Sequence, residues 1–170
     1  PTRPANMVEL SATVASSEAE FGIGVDGDGD RIGVVDENGR FIHPDRLIGL
    51  FARDILLNQE SDKDSEEGHT ILYDVKCSMG VDEAIASSGG IGRMVRTGHS
   101  FMKRELAASP TIRFAGEMSG HLFFNDRWNG FDCSLYNAAR LLELWSRRDG
   151  FSFSSELNRL APNLPTTGEV

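Results

Sequence analysis

Asp26, Asp28 and Asp30 alternate with Gly27 and Gly29 in the stretch VDGDGDRIG, and Arg31 follows at once. Three carboxylates held this close repel one another unless a cation sits among them. Ligands that are all oxygen suit Mg2+ or Ca2+ rather than a softer metal. On extended backbone, residues two apart project to the same side, so the three side chains are expected to converge. The two glycines are expected to let the chain bend around the ion. A plain acidic turn is the alternative, but it offers nothing to offset the repulsion. Glu37 falls at the twelfth position of an EF-hand pattern counted from Asp26. That pattern needs a glycine sixth, where Arg31 stands, and helical flanks, where this chain reads as strands. An arginine beside a three-carboxylate cation suits an arriving phosphate, because its guanidinium can fork onto two phosphate oxygens. The chemistry indicated is phosphoryl transfer, which depends on positioning and charge neutralisation.

Elements that could hold this loop follow from periodicity. Residues 6–20 read as a helix, 21–26 and 31–36 as strands, and ENGR as a turn returning through FIH at 41–43. Pro44 suits the first turn of a helix whose apolar stripe is Leu47, Ile48, Phe51 and Ile55. Strands are predicted at 70–75, 92–96, 111–116 and 121–124, and helices at 81–88, near 99–108 and at 132–147. In the last helix Leu135, Ala138, Leu142 and Trp145 share one side, which is the expected buried stripe. Strands alternating with helices give an α/β fold, a mixed sheet layered with helices.

The bulk composition bounds the partners. The chain has 170 residues, 39% hydrophobic and 25% charged, values ordinary for a globular domain plus part of another. A net charge of −9 argues against nonspecific binding of nucleic acid or an anionic membrane. Much of it lies in NQESDKDSEEGH (58–69), read as a solvated acidic loop. No apolar run reaches membrane-spanning length, and no signal peptide is evident. Cys77 and Cys133 do not make a disulfide framework, so a reducing cytoplasm is expected. The chain begins at Pro1 and ends in LAPNLPTTGEV, which reads as a linker, so it is expected to be a piece of a longer protein.

DGDGDR after a short strand resembles the metal loop of the α-D-phosphohexomutases. RTGHSFMKREL (96–106) and GEMSGHLFF (116–124) resemble that family's third-domain loops in the same order, and DVKC (74–77) and GFD (130–132) also fit. The likeness extends over essentially the whole chain. GEMSGH is closest to the bifunctional phosphomannomutase/phosphoglucomutase branch, whereas GEQSGH would point to phosphoglucosamine mutase.

The resemblance implies Mg2+ held by Asp26, Asp28 and Asp30, with a phosphoserine oxygen as the remaining protein ligand. It implies that Arg31 orients phosphate near the metal, and that Glu117 and Ser119 hydrogen-bond adjacent sugar hydroxyls so that the hexose binds in either orientation. Thr97, Gly98 and His99 would line the same pocket, with His121 and Lys76 candidates for proton transfer or phosphate contact. The implied reaction interconverts hexose 1-phosphate and hexose 6-phosphate (mannose or glucose) through the phosphoserine and a bisphosphosugar. Residue chemistry agrees. Glu117 can accept two hydroxyl bonds, and a histidine titrating near neutrality suits moving a hydroxyl proton. Taken alone, His99 and His121 read more often as structural histidines than as functional ones, and Lys103 reads equally as a plain surface lysine on a helix. A zinc site from Cys77, Cys133, His99 and His121 lacks any CxxC or HxxxH spacing.

Departures from the family pattern carry equal weight. Cys133 stands where the family usually has a second aspartate after GFD, with Asp132 left to cap the following helix. No stretch resembles the Ala-Ser-His-Asn-Pro loop of the catalytic serine. The motifs assign residues 1–40 to the end of domain 2, carrying the metal loop, 41–160 to domain 3, and 161–170 to a linker toward domain 4. Domains 1 and 4 of the same protein would be partners, and the chain by itself is expected to be inactive. A phosphoglucosamine mutase and a noncatalytic metal- or carbohydrate-binding module are the alternatives.

Overall fold

The computed structural model describes residues 1–58, 69–147 and 152–160. Nearly all of the acidic loop and the C-terminal linker therefore fall outside the described residues.

A 3-10 turn at Pro4–Met7 leads into α1 (Val8–Ala15). The helix stops five residues short of the expected end because Ser16 and Ser17 turn their hydroxyls back onto the carbonyls of Thr13 and Val14. Three short strands follow, β1 (Gly22–Val25), β2 (Ile32–Val35) and β3 (Phe41–Ile42), in one antiparallel sheet ordered β1-β2-β3. Met7 and Val14 of the N-terminal helical segment bury against Val35 of that sheet.

The second sheet is mixed. It comprises β4 (Thr70–Asp74), β5 (Ile91–Val95), β6 (Ile112–Gly116) and β7 (Leu122–Phe124), in the order β5-β4-β6-β7. β4 is parallel to both neighbours, and β7 returns antiparallel to β6. α3 (Met79–Ser87) connects β4 to β5, and α4 (His99–Ala108) connects β5 to β6. Alternate residues separate the two faces: Ile71 and Tyr73 join the core with α3, whereas Leu72 packs with Met102 and Leu106 of α4. The connections thus change face between β4 and β6, and the crevice at the carboxyl ends of such strands is where open α/β sheets bind ligands.

α2 (Pro44–Leu57) buries Leu47, Ile48, Phe51 and Ile55 as its periodicity predicts. α5 (Ser134–Ser146) does not follow its expected stripe: Leu135 is 76% and Leu142 48% exposed. Its inward side carries Ser134, Asn137, Arg140, Leu141 and Leu144. Hydropathy misplaced this face because Arg140 is buried with its charge met, by Asp126 at 2.7 Å. α6 (Phe153–Leu160), which the sequence reading did not contain, closes the core with Phe153 and Leu157.

Glu37 joins the two halves. Its carboxylate accepts hydrogen bonds from the hydroxyls of Ser152 (2.6 Å) and Ser154 and from the Ser154 N–H, at the start of α6. Partial burial would raise its pKa, but these three bonds outweigh that and hold it below the ordinary value of 4.5. A depressed carboxylate contributes stability above its unfolded pKa and loses it as pH falls through its folded pKa. Glu37→Gln is therefore expected to lower stability at neutral pH and to make little difference in acid below both values. Urea unfolding of the two proteins across pH checks this, and a constant difference at all pH values contradicts it.

Candidate active site

The three aspartates do converge: one oxygen from each of Asp26, Asp28 and Asp30 lies within 4.8 Å of the others. Alternation on a strand is not the cause, since β1 ends at Val25 and the loop curls. Asp26 closes that curl by accepting the N–H groups of Asp30 and Arg31, each at 3.1 Å. Gly29 takes φ +76°, a conformation costly for other residues, and its carbonyl accepts the N–H of Ser134 at the start of α5. Gly27 has no such requirement.

Electrostatics within the loop are uneven. Burial pushes Asp26 up, but the two backbone N–H bonds, a bond shared with Asp30 and the Arg31 charge bring it below the ordinary carboxylate range. Asp30 is pushed up, by burial and by its two acidic neighbours, against the pull of His121. Arg31 Nε lies 3.2 Å from Asp26 and 3.4 Å from Asp30. Asp30 Oδ1 is sealed from solvent and accepts no hydrogen bond. A shielded carboxylate oxygen that accepts no hydrogen bond and faces Arg31 Nε at 3.4 Å, among three convergent carboxylates, leaves room for a hard divalent cation, so the donor set suits Mg2+.

The residues expected to line a sugar pocket, with Lys76, gather at the carboxyl ends of β4, β5 and β6. Thr97, Gly98 and His99 follow β5, Glu117 and Ser119 follow β6, and the exposed Lys76 follows β4. Glu117 is buried, with Oε1 accepting the Gly98 N–H at 2.6 Å and Oε2 the Ser119 hydroxyl at 3.0 Å. Gly98 has φ +144°, a backbone that only glycine adopts readily.

The residue that ties these loops together was not assigned from sequence. Asp74, the fully buried last residue of β4, accepts the Thr97 hydroxyl at 2.8 Å and the Met118 N–H at 3.1 Å. The Cys77 thiol donates to it at 3.1 Å, and burial pushes that thiol's pKa far up, so Cys77 is inert. The only sequence signal was DVKC itself.

The aspartate loop and the loop after β6 meet at a backbone β-bridge between Arg31 and His121. His121 Nδ1 lies 3.8 Å from Asp30 Oδ2 and 2.8 Å from Asp132 Oδ2. Asp132 is thus not the cap of α5, whose N-cap is Cys133 and makes no side-chain capping bond. Its other oxygen pairs with the Lys103 ammonium at 2.6 Å, so Lys103 is no plain surface residue. Burial would raise Asp132, but the Lys103 bond and charge outweigh it and hold the carboxylate ionised. Among the described residues no cluster of metal-ligating groups includes a cysteine, which disposes of the zinc arrangement.

Residues 43–164 match the model of phosphoglucomutase/phosphomannomutase alpha/beta/alpha domain III, and residues 1–39 match that of domain II. The chain belongs to the phosphoglucomutase/phosphomannomutase family. It is 40% identical over all its 170 residues to a phosphomannomutase/phosphoglucomutase of Pseudomonas putida, spanning 35% of that protein. A phosphoglucomutase/phosphomannomutase family protein of Burkholderia thailandensis superimposes with a TM-score of 0.82 at 41% identity, over 95% of this chain and 33% of that one. An Aspergillus fumigatus N-acetylphosphoglucosamine mutase, solved with GlcNAc-6P and magnesium, shares the fold at 16% identity and a TM-score of 0.68, over 91% of this chain and 40% of that one. The chain thus spans about a third of the length of the curated relatives it matches. None of its described helices is long and apolar enough to cross a membrane.

Proposed function

We propose that this chain supplies the metal-binding and sugar-binding walls of a cytoplasmic phosphohexomutase, one that interconverts the 1- and 6-phosphates of mannose or glucose. Residues 1–40 would complete its second domain and 41–160 form its third, with the serine nucleophile and a phosphate clamp on domains outside this chain. The observation that carries the reading is the bridge between Arg31 and His121, which sets the carboxylate loop against the sugar loop.

Asp26, Asp28 and Asp30 would hold Mg2+, which supplies neutralisation of charge on the transferring phosphoryl group. Arg31 offers its guanidinium to phosphate oxygens beside them. Glu117 and Ser119 exchange hydrogen bonds with two adjacent sugar hydroxyls, contacts equally available when the sugar is turned end for end. In the first half-reaction the free sugar hydroxyl attacks the phosphoserine phosphorus. Its proton passes to His121 as the bond from phosphorus to the serine oxygen breaks. After the bisphosphosugar reorients, the serine oxygen takes the other phosphoryl group. His121 returns the proton to the sugar oxygen released.

Assays of the full-length protein on mannose 1-phosphate and glucose 1-phosphate test the reading. Turnover is expected to vanish on chelation and return with Mg2+. Glu117→Ala is expected to lose about 10²–10⁴-fold in kcat/KM on both sugars, the worth of one or two hydrogen bonds to a charged acceptor. The 170-residue chain alone is expected to turn over neither sugar. Turnover by that chain, or none by the full-length protein, would overturn the proposal.

A further inference from the structure

His121 occupies an unusually determined position. Its side chain is 8% exposed, and the rings of His99 and Phe123 lie nearly parallel to it, with centroids 5.6 and 6.1 Å away. Two carboxylate oxygens face the same nitrogen: Asp132 Oδ2 at 2.8 Å and Asp30 Oδ2 at 3.8 Å lie at Nδ1. Asp132 is itself held from the opposite side, since Lys103 of α4 takes its second oxygen. Three segments distant in sequence thus build one line, Lys103 to Asp132 to His121. The reaction scheme above uses only its last member.

A neutral imidazole carries its proton on one nitrogen only, and the partner of one nitrogen sets what the other can do. A carboxylate can only accept. With Asp132 against Nδ1, the proton belongs there, and Nε2 keeps a lone pair. A proton acceptor for a sugar hydroxyl needs that lone pair. With the other tautomer Nε2 would be a donor, and Nδ1 would set its lone pair against a carboxylate.

We propose that Asp132 is a positioning residue that holds His121 in the Nδ1–H tautomer with Nε2 free to accept the substrate's hydroxyl proton, and that Lys103 anchors Asp132 in that role. This rests on the reading of His121 as the proton-transfer group. Cys133 following Asp132 does not disturb the arrangement, because Asp132 alone supplies both contacts.

The test is Asp132→Asn, which keeps the shape but can present an amide N–H to Nδ1 and so favours the opposite tautomer. The full-length protein, labelled with 15N-histidine, is compared with the variant at a pH where the ring is neutral. The expected wild-type result is a pyrrole-type Nδ1 and a pyridine-type Nε2 for His121, exchanged in the variant. Kinetics should show kcat down by about 10²–10⁴-fold with KM changed little, the scale of losing general-base catalysis. Lys103→Met should keep the wild-type tautomer and lose less. Thermal unfolding of each variant identifies any that fails to fold, in which case Asp132→Glu is read for partial rescue of the tautomer. A wild-type ring protonated at Nε2, or an unchanged tautomer in folded Asp132→Asn, overturns the proposal. A tautomer that exchanges while turnover stays intact upholds the control by Asp132 and overturns His121 as the proton-transfer group.

Discussion

Asp74→Ala is expected to cost about 3–5 kcal/mol and to separate the loops that follow β5 and β6, although Asp74 touches no substrate in the proposed scheme. Its carboxylate is fully buried and receives the Thr97 hydroxyl, the Met118 N–H and the Cys77 thiol. Removing it strands those donors, at about 1–3 kcal/mol for each one left buried without a partner. Asp74→Asn should be far milder. An amide oxygen in the Oδ1 position still accepts from Met118, and the Thr97 hydroxyl can rotate to accept from the amide nitrogen. Urea unfolding checks the pair through the midpoint at unchanged slope. Equal losses for Asn and Ala would mean that charge, not the bonding pattern, is what matters at this position.

Arg140→Ala is expected to cost a comparable 3–5 kcal/mol, roughly the penalty for breaking a buried ion pair from one side. Arg140 is 4% exposed. Its Nη1 donates to Asp126 at 2.7 Å and to the Tyr136 hydroxyl at 3.2 Å, and its guanidinium lies 4.3 Å from the centre of the Phe124 ring. Alanine removes these contacts and the approach of Nε to Glu143 at 3.6 Å, and leaves Asp126, itself largely buried, with the more distant Arg127 at 3.7 Å. The double substitution Arg140→Met with Asp126→Leu should recover at least half of the loss, since no charge is then left unmatched. A double variant no more stable than Arg140→Ala would show that the ring contact, not the ion pair, dominates.

These two positions also mark where sequence reasoning stops. Periodicity placed α2 with four of its buried residues, and each strand among the described residues, within a few residues. It works there because local backbone sterics set the period and apolar side chains report the inward face. It failed on α5 because the inward face is partly polar, and a polar residue is stable inside only when a distant residue meets it. Arg140 needs Asp126, and no local pattern announces that pairing. The same reason hid α6, whose apolar residues find their cover across the chain, and the partnership of Glu37 with its first turn.

The candidate site divides the same way. Residue types and spacing alone raised the expectation of a divalent cation at Asp26, Asp28 and Asp30 with phosphate beside Arg31, and the family resemblance added the expectation that Glu117 and Ser119 meet sugar hydroxyls. Those inferences concern charge and hydrogen-bonding capacity, which side chains carry wherever they fold. Only the tertiary structure decided that the carboxylate loop is curled by Asp26, that Asp74 joins the loops after β5 and β6, and that Asp132 and Lys103 stand behind His121. Contacts between segments tens of residues apart depend on strand order and helix placement, and those are set by the burial of the whole core rather than by any one stretch.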